Sequence, residues 1–428
     1  MRSKNIRLTR IILTPHYSLL THCQESLVRS KYIRLSWIIL ITHYSLLITH
    51  FFHYLHAANH CEQKPEKPLM TNPSLLIQNR AVHFDLVRFV ATFAVVQLHV
   101  ATPWLWRELD LNSPFWITCL FFDVFGRAGV PVFLMISGAL LLNKEESYPS
   151  FFKKRFVRVL VPLIFWTIVY EIKILANHHY LQGGVNWDTM YSILKNPISG
   201  PVYDHLWFLY MIVGMYLITP FLRRIIPVLT KTDLYYLLGL WIFSNVILPL
   251  VYNYSSFKLG LNIPVVTAYL GFYVLGFYLM QYKFNPRQIK ITWFIFVASY
   301  LLNIFIVWLD SNMRDQVEPF YLSHHRPGIF IQSISAFILL EYYAMKAFTR
   351  YSEKKFKRLA FLGSLTFGVY LVHPLIIELF EGLLMYYYAP AIRFAPIIVI
   401  PVAAVVVISV SMLVVYIMQK TPILKKFV

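Results

Sequence analysis

The sequence contains very little cysteine. Only Cys23, Cys61 and Cys119 occur among its 428 residues. Their separations match neither a CxxC pair nor another spacing that is typical of metal ligands. This pattern excludes a disulfide framework and a thiolate metal site, and it gives no reason to expect a metal ion.

Charged residues are also scarce. Only 14% of the residues are charged, whereas 58% are apolar and the mean hydropathy is +0.57. Such a composition excludes a soluble globular protein. The apolar runs are about 20 residues long, as transmembrane helices require, and they lack the alternating segments of about ten residues that build a membrane β-barrel. We therefore predict an all-α fold, a polytopic membrane helix bundle.

Residues 1–69 differ from the rest of the chain because they contain a tandem repeat. The segment His16–Leu20 recurs as His43–Leu47. Seven of the 15 histidines lie in this region, but the repeat sets their spacing, which favours a duplication over a metal site. We expect residues 1–69 to be an extension outside the functional protein, with Met70 as the true start.

From residue 84 onward the chain contains ten apolar segments that are each bounded by charges, Pro or Gly. The predicted spans are 84–105, 116–142, 157–176, 205–222, 234–252, 263–281, 291–309, 327–348, 359–380 and 396–418. We expect a membrane domain at 84–420 with a lead-in at 70–83 and a tail at 421–428. Because the number of spans is even, both ends of the 70–428 part should lie on the same side.

The basic residues indicate which side that is. The sequence has 39 Lys and Arg against 20 Asp and Glu, a net charge of +19. In the predicted topology the short connections on one side carry 21 Lys and Arg, and those on the other side carry seven. This bias predicts that the basic side, with both ends of the 70–428 part, faces the cytoplasm. Topology then explains the net charge, and we expect no nucleic-acid partner.

The first span contains three ionisable residues, Asp85, Arg88 and His99. Ionisable groups at membrane depth are costly unless they are paired or hydrated, so each is a candidate functional residue. Asp85 can neutralise Arg88 three residues later, and the helical period places His99 on nearly the same face as Arg88, about 16 Å further along. A structural ion pair with a packed histidine explains this span as well as a functional site does.

The ninth span favours a functional site over a purely structural role for the residues of the first span. It runs in the same direction as the first, and it places His373 at a depth similar to that of His99. Pro374 follows and frees a backbone carbonyl group, which membrane helices tolerate beside a neighbour or a water-filled cavity. Glu378 lies on a different face, where an interfacial carboxylate is the favoured interpretation.

Two further groups of charges lie in the second and third spans. Asp123 and Arg127 are spaced as an i, i+4 ion pair, which we expect to face the bundle interior. Arg155 and Arg158 share a helix face at the mouth of the third span. They can bind phosphate groups bidentately, but the positive-inside rule or anionic lipid would also explain them.

Several short motifs of the sequence resemble those of the membrane acyltransferase 3 family over about residues 80–420. The motifs are Asp85–Arg88 with its interval to His99, Arg127–Pro131 running into Met135–Gly138, Arg155–Arg158, His205–Phe208, and Phe367–Pro374. The resemblance implies an enzyme of the bacterial inner membrane. It also implies acetyl-CoA as the acyl donor, a glycan or lipid-linked saccharide as the acceptor, and membrane lipid as the surroundings.

The resemblance also implies roles for individual residues. His99 is expected to be the general base, with Arg88 binding the donor or stabilising developing charge and Asp85 orienting Arg88. A covalent acyl group on His99 or on His373 is an alternative to direct transfer. The cofactor-binding residues are then expected to be Arg155, Arg158 and Arg127.

A transporter or flippase of glycolipids is the competing function. Proton-coupled carriers also place His, Arg and Asp near the middle of the membrane. Carriers usually consist of two related halves with corresponding broken helices, and the first five and last five predicted spans have no such symmetry. The sequence therefore favours the enzyme.

Overall fold

The computed structural model describes residues 73–182, 200–255, 269–348 and 352–428. The described residues form helices and connecting turns without any strand, which confirms the predicted all-α bundle. The predicted extension at 1–69 lies outside the described residues.

The helices are numbered here in chain order. They are α1 (Pro73–Arg107), α2 (Pro114–Arg127), α3 (Gly129–Leu141), α4 (Tyr148–Gln182), α5 (Trp207–Ile225), α6 (Lys231–Ile242), α7 (Leu248–Tyr254), α8 (Leu270–Leu279), α9 (Pro286–Arg314), α10 (Pro327–Phe348), α11 (Glu353–Phe394) and α12 (Pro396–Lys420). Short 3-10 turns precede α5 at Asp204–Leu206 and α10 at Phe320–Leu322, and a π-helical turn, Phe243–Ile247, joins α6 to α7.

Nine helical stretches of the described chain are long and apolar enough to cross a membrane. They are His83–Arg107, Pro114–Leu141, Tyr148–Asn177, Asp204–Val228, Lys231–Tyr254, Pro286–Arg314, Phe320–Ala347, Lys357–Gly382 and Pro396–Lys420. The predicted span at 263–281 differs from these. Its described part forms the ten-residue helix α8, and its residues 263–268 lie outside the described chain.

The second span is interrupted at Ala128, between α2 and α3. Pro131 has no N–H group to donate to the carbonyl of Arg127, so the regular hydrogen-bond ladder cannot continue through this turn. The start of the same span is well defined, because Ser113 accepts a hydrogen bond of 3.1 Å from the Trp116 N–H and Pro114 follows at the first helical position.

Close helix packing surrounds α1, the helix that carries His99. A Cβ on Gly126 of α2 would collide with the carbonyl oxygen of Ala94, and a Cβ on Gly363 of α11 would collide with the side chain of Asp85. Small residues at such positions let neighbouring membrane helices approach closely. The two glycines thus allow α2 and α11 to pack directly against α1.

One helix begins earlier than the sequence predicted. The third span was expected to begin at residue 157, but α4 already begins at Tyr148, so Arg155 and Arg158 lie inside a helix. Long basic side chains can extend from a helix toward water, so a helix need not end where its apolar run ends. At the other end of the chain, the expected tail packs on α4, because the Trp166 indole N–H donates to the Phe427 carbonyl at 2.9 Å.

Candidate active site

Two histidine rings from different helices meet inside the bundle. His99 of α1 and His373 of α11 have ring centroids 4.9 Å apart and ring planes at 72°. His373 is fully buried and His99 is partly exposed. The contact confirms that the two histidines lie at a similar depth, as the sequence predicted. We call this level of the bundle the histidine layer.

Both rings are held through the same nitrogen. Nδ1 lies 2.8 Å from the Val95 carbonyl oxygen in His99 and 3.1 Å from the Val369 carbonyl oxygen in His373. Because a carbonyl oxygen only accepts, Nδ1 carries the proton of each neutral ring and Nε2 keeps its lone pair. Nε2 of His373 has no hydrogen-bond partner among the described residues. Each ring is therefore oriented as a proton acceptor at Nε2.

A third histidine joins the layer. His205 lies in the 3-10 turn before α5, and its ring centroid is 5.7 Å from that of His373. The hydroxyl of Tyr370 donates a hydrogen bond to the His205 carbonyl oxygen, which ties the turn to α11. In the sequence, His205 is recognisable only as part of a motif, so its place beside His373 is a structural finding.

The predicted ion pair of the second span is confirmed and faces the interior. Arg127 donates to Asp123 through Nε at 2.5 Å and through Nη2 at 3.0 Å, and its Nη1 donates to the Leu322 carbonyl at 2.7 Å. The hydroxyl of Thr102, three residues after His99, donates to Asp123 at 2.6 Å. Asp123 is fully buried, and these four hydrogen bonds satisfy the pair inside the bundle.

This arrangement fixes the level of Arg127. Asp123 bonds to Thr102, and α2 runs antiparallel to α1 at this contact, so Arg127 lies about one turn back, level with His99. Both Asp123 and Arg127 are within electrostatic reach of His99. Arg127 thus belongs to the histidine layer, and its binding to a cofactor stays a prediction.

Four arginines converge at the opposite level of the bundle. We call Arg88, Arg155, Arg158 and Arg223 the basic cluster. The first three lie within electrostatic reach of Tyr216, and Arg155 and Arg223 lie within reach of Tyr273.

The predicted Asp85–Arg88 pair is confirmed at 2.5 Å, and Arg158 is within electrostatic reach of Asp85. The structure therefore groups Arg88 with the two predicted phosphate-binding arginines.

Arg88 does not contact His99. The two residues are eleven positions apart on α1, which corresponds to about 16 Å along the helix axis. The predicted site therefore has two levels, a basic cluster that contains Arg88 and a histidine layer that contains His99. A ligand that touches both must be long.

One carboxylate, Glu146, lies at the edge of the basic cluster. It precedes α4, accepts from Lys154 Nζ at 2.7 Å and lies 3.8 Å from Arg155 Nη2 and 3.7 Å from Arg223 Nη1. The hydrogen bond from Lys154 lowers the pKa of Glu146. Burial and then the charge of Arg155 lower the pKa of the neighbouring Lys144. These directions indicate a positive potential around the connection between α3 and α4.

Two ion pairs lie beyond the histidine layer. Lys173 of α4 forms an ion pair with Glu378 of α11, and its Nζ lies 4.8 Å from the ring centroid of Tyr203. Nearby, Arg393 pairs with Glu108 at 2.9 Å. Glu378 is thus an ion-paired carboxylate of this end of the bundle and does not contact His373 in the described contacts.

Four residues that complete these two levels were hardly indicated by sequence patterns: Thr102, Tyr370, Glu146 and Arg223. Thr102 follows His99 by three residues, and Tyr370 precedes His373 by three, so helical spacing was the available signal. Glu146 and Arg223 had none, because their positions depend on contacts between distant segments.

In residues 73–182, 200–255, 269–348 and 352–428, no group of three or more His, Cys, Asp or Glu side chains could hold a metal ion.

Comparison with known proteins places most of the chain in one family. Residues 82–416 match the acyltransferase 3 model, which is described as an acyltransferase domain. A stretch of 107 residues is 34% identical to "Nodulation protein 10" of Rhizobium leguminosarum bv. viciae, and it covers 24% of this chain and 26% of that protein. The chain thus matches about a quarter of the length of this relative. No solved structure matches the chain.

Proposed function

The chain belongs to the acyltransferase 3 family, and from this premise we propose that it transfers acetyl from acetyl-CoA to a sugar hydroxyl of a cell-surface or lipid-linked glycan. The observation that carries the proposal is the pair of histidines, His99 and His373, whose Nδ1 atoms are anchored on backbone carbonyls. A hydroxyl group must lose its proton to attack a thioester, and a neutral imidazole is the side chain best suited to accept it near neutral pH.

In the proposed reaction the acetyl group passes directly from the donor to the sugar. The sugar hydroxyl gives its proton to Nε2 of His99 while its oxygen forms a bond to the thioester carbonyl carbon. The carbon–sulfur bond then breaks, the acetyl group remains on the sugar as an ester, and the CoA thiolate takes the proton from His99. His373 lies against the ring of His99 at 4.9 Å between centroids and restricts its orientation.

The donor lies along the bundle in this proposal. Its phosphates bind the basic cluster, where Arg155 and Arg158 provide guanidinium groups, and Arg88 joins them with Asp85 as its orienting partner. Guanidinium forks match phosphate oxygens in geometry and charge. The pantetheine arm then spans the distance of about 16 Å between Arg88 and the histidine layer. A donor of this shape explains why the two levels are separated.

The two ends of the bundle face different compartments in this proposal. The basic cluster faces the cytoplasm, where acetyl-CoA occurs, and the end with Lys173 and Glu378 faces the opposite side of the bacterial inner membrane, where the acceptor glycan lies. The positive-inside bias of the connections supports this orientation. Both ends of the 70–428 part are then cytoplasmic.

The residues of two motifs suggest a more specific acceptor. Pro131–Gly138 and His205–Phe208 are similar to the O-acetyltransferase that modifies enterobacterial common antigen. We therefore propose that polysaccharide as the first acceptor to be tried, with other surface glycans as comparisons.

If the acetyl group is transferred directly, no acetylated form of the protein should accumulate. When purified protein is incubated with acetyl-CoA and no acceptor, its intact mass should stay unchanged, because no acyl-enzyme forms on the direct route. Mass spectrometry checks this. A gain of one acetyl group that His99→Ala or His373→Ala removes would instead identify a histidine relay.

The N-terminal extension should be dispensable. A protein that starts at Met70 should insert into the membrane and acylate glycan at the rate of the full chain, because none of the motifs lies in residues 1–69. The measurement is the transfer rate per inserted molecule for both proteins. Loss of transfer in the shorter protein despite normal insertion would show that the extension contributes to activity.

A further inference from the structure

Arg223, at the end of α5, is held rigidly from two sides. Its Nε donates to the Leu141 carbonyl oxygen at 2.7 Å, and its guanidinium carbon lies 4.5 Å from the ring centroid of Phe151. Only 8% of its side chain is exposed. The guanidinium plane of Arg223 therefore has a fixed position and orientation.

The outer edge of this guanidinium approaches the carboxylate of Glu146 but makes no hydrogen bond to it. Nη1 and Nη2 of Arg223 are buried and have no hydrogen-bond partner among the described residues. Nη1 lies 3.7 Å from Oε2 of Glu146, which is too long for a hydrogen bond. A buried cation with unsatisfied donors is costly, so this edge is suited to receive an anion with oxygen acceptors.

Arg155 faces the same space as Arg223. Both guanidinium groups lie over the ring of Phe151, with the Arg155 carbon 5.6 Å from the centroid, and both approach the same Oε2 atom of Glu146. The carboxylate is held on its other oxygen, Oε1, by Lys154 at 2.7 Å and Ser150 at 3.3 Å. Glu146 thus places one anionic oxygen between two guanidinium groups without forming a hydrogen bond to either.

We propose that Arg223 is a third ligand of the donor phosphates, beside Arg155 and Arg158, and that Glu146 is a counter-ion which a donor phosphate displaces from Arg155 and Arg223. The inference rests on the proposed function, because it assigns a further residue to the donor site. A phosphate group offers the bidentate oxygen pair that an arginine fork requires. The single Glu146 oxygen at 3.7–3.8 Å does not.

The test compares Arg223 with its neighbour. Arg223→Ala should raise the Michaelis constant for acetyl-CoA at least about tenfold while kcat changes much less, because the lost contacts bind the donor remote from the reacting atoms. Arg223→Lys should recover only part of the loss, since an ammonium cannot form the fork. Arg224→Ala is the matched control: its guanidinium is exposed and lies over Tyr148 at 4.9 Å, so its removal should leave the constant unchanged.

A second variant tests the displacement. Glu146→Gln removes the charge that competes with phosphate, so it should lower the Michaelis constant about threefold or more. Binding of CoA, measured by thermal stabilisation of the detergent-solubilised protein, should follow the same order: stronger in Glu146→Gln, and weaker in Arg223→Ala. Equal or weaker CoA binding by Glu146→Gln would overturn the displacement. Wild-type binding and Michaelis constant in both Arg223 variants would overturn the phosphate site.

The third part of the test varies the lipid, because a phospholipid headgroup contains a phosphate group that Arg223 could also bind. Activity is compared in vesicles of phosphatidylcholine alone and with phosphatidylglycerol. An effect of Arg223→Ala that appears only with phosphatidylglycerol would assign Arg223 to lipid and overturn the inference. Wild-type protein that binds CoA but acylates no glycan would contradict the proposed function, while loss of this binding in Arg223→Ala would still support the phosphate site.

Discussion

Replacing His99 with alanine should lower acyl transfer by a factor of roughly 10² to 10⁴, the usual contribution of a positioned general base. The reason is the geometry of the ring: Nδ1 is anchored on Val95 at 2.8 Å, so Nε2 is the atom that accepts the hydroxyl proton. The measurement is glycan acetylation per molecule of inserted protein. CoA binding should be retained, because the basic cluster lies about 16 Å away along α1.

His99→Gln separates proton transfer from hydrogen bonding. A glutamine can occupy a similar volume and form a hydrogen bond, but its amide cannot accept a proton at neutral pH. The rate should therefore remain as low as in the alanine variant. The wild-type rate should also fall as the pH is lowered, because protonation of Nε2 removes the acceptor. Wild-type transfer by His99→Ala would refute the assignment of the base.

Replacing Arg155 and Arg158 together with alanine should raise the Michaelis constant for acetyl-CoA at least about tenfold, which corresponds to about 1.4 kcal/mol of binding free energy. Both residues lie in the basic cluster with Arg88. Lysine at both positions keeps the charge and the membrane topology but loses the forked donors, so it should restore only part of the affinity.

The matched control for this variant removes two other positive charges from the same end of the bundle. Lys153 and Arg224 are exposed and lie outside the basic cluster, so their combined replacement with alanine should leave the Michaelis constant near the wild-type value. If the Arg155 and Arg158 variant has an unchanged constant, these arginines serve only topology or lipid binding.

The sequence predicted those features that depend on local spacing. Apolar length predicted the helix bundle, and the period of 3.6 residues predicted the Asp85–Arg88 and Asp123–Arg127 pairs, which the structure confirms. Equal distances from the helix starts predicted the common depth of His99 and His373, and their rings are in contact.

Contacts between distant segments could not be predicted in this way. Thr102 reaches Asp123 because Gly126 lets α2 approach α1, and Arg223 reaches Glu146 because α5 packs beside the connection before α4. Such contacts depend on how the helices pack, which hydrophobic periodicity alone does not specify.

Acetyl transfer across the membrane can be measured with purified wild-type protein in liposomes, with labelled acetyl-CoA outside and surface glycans enclosed inside. We expect CoA to be released outside while acetyl ester appears on the enclosed glycan, in equal amounts and only with protein inserted in the orientation that exposes the basic cluster. Translocation of a lipid-linked saccharide without cleavage of acetyl-CoA, for any acceptor tried, would show that the protein is a carrier and not an acyltransferase.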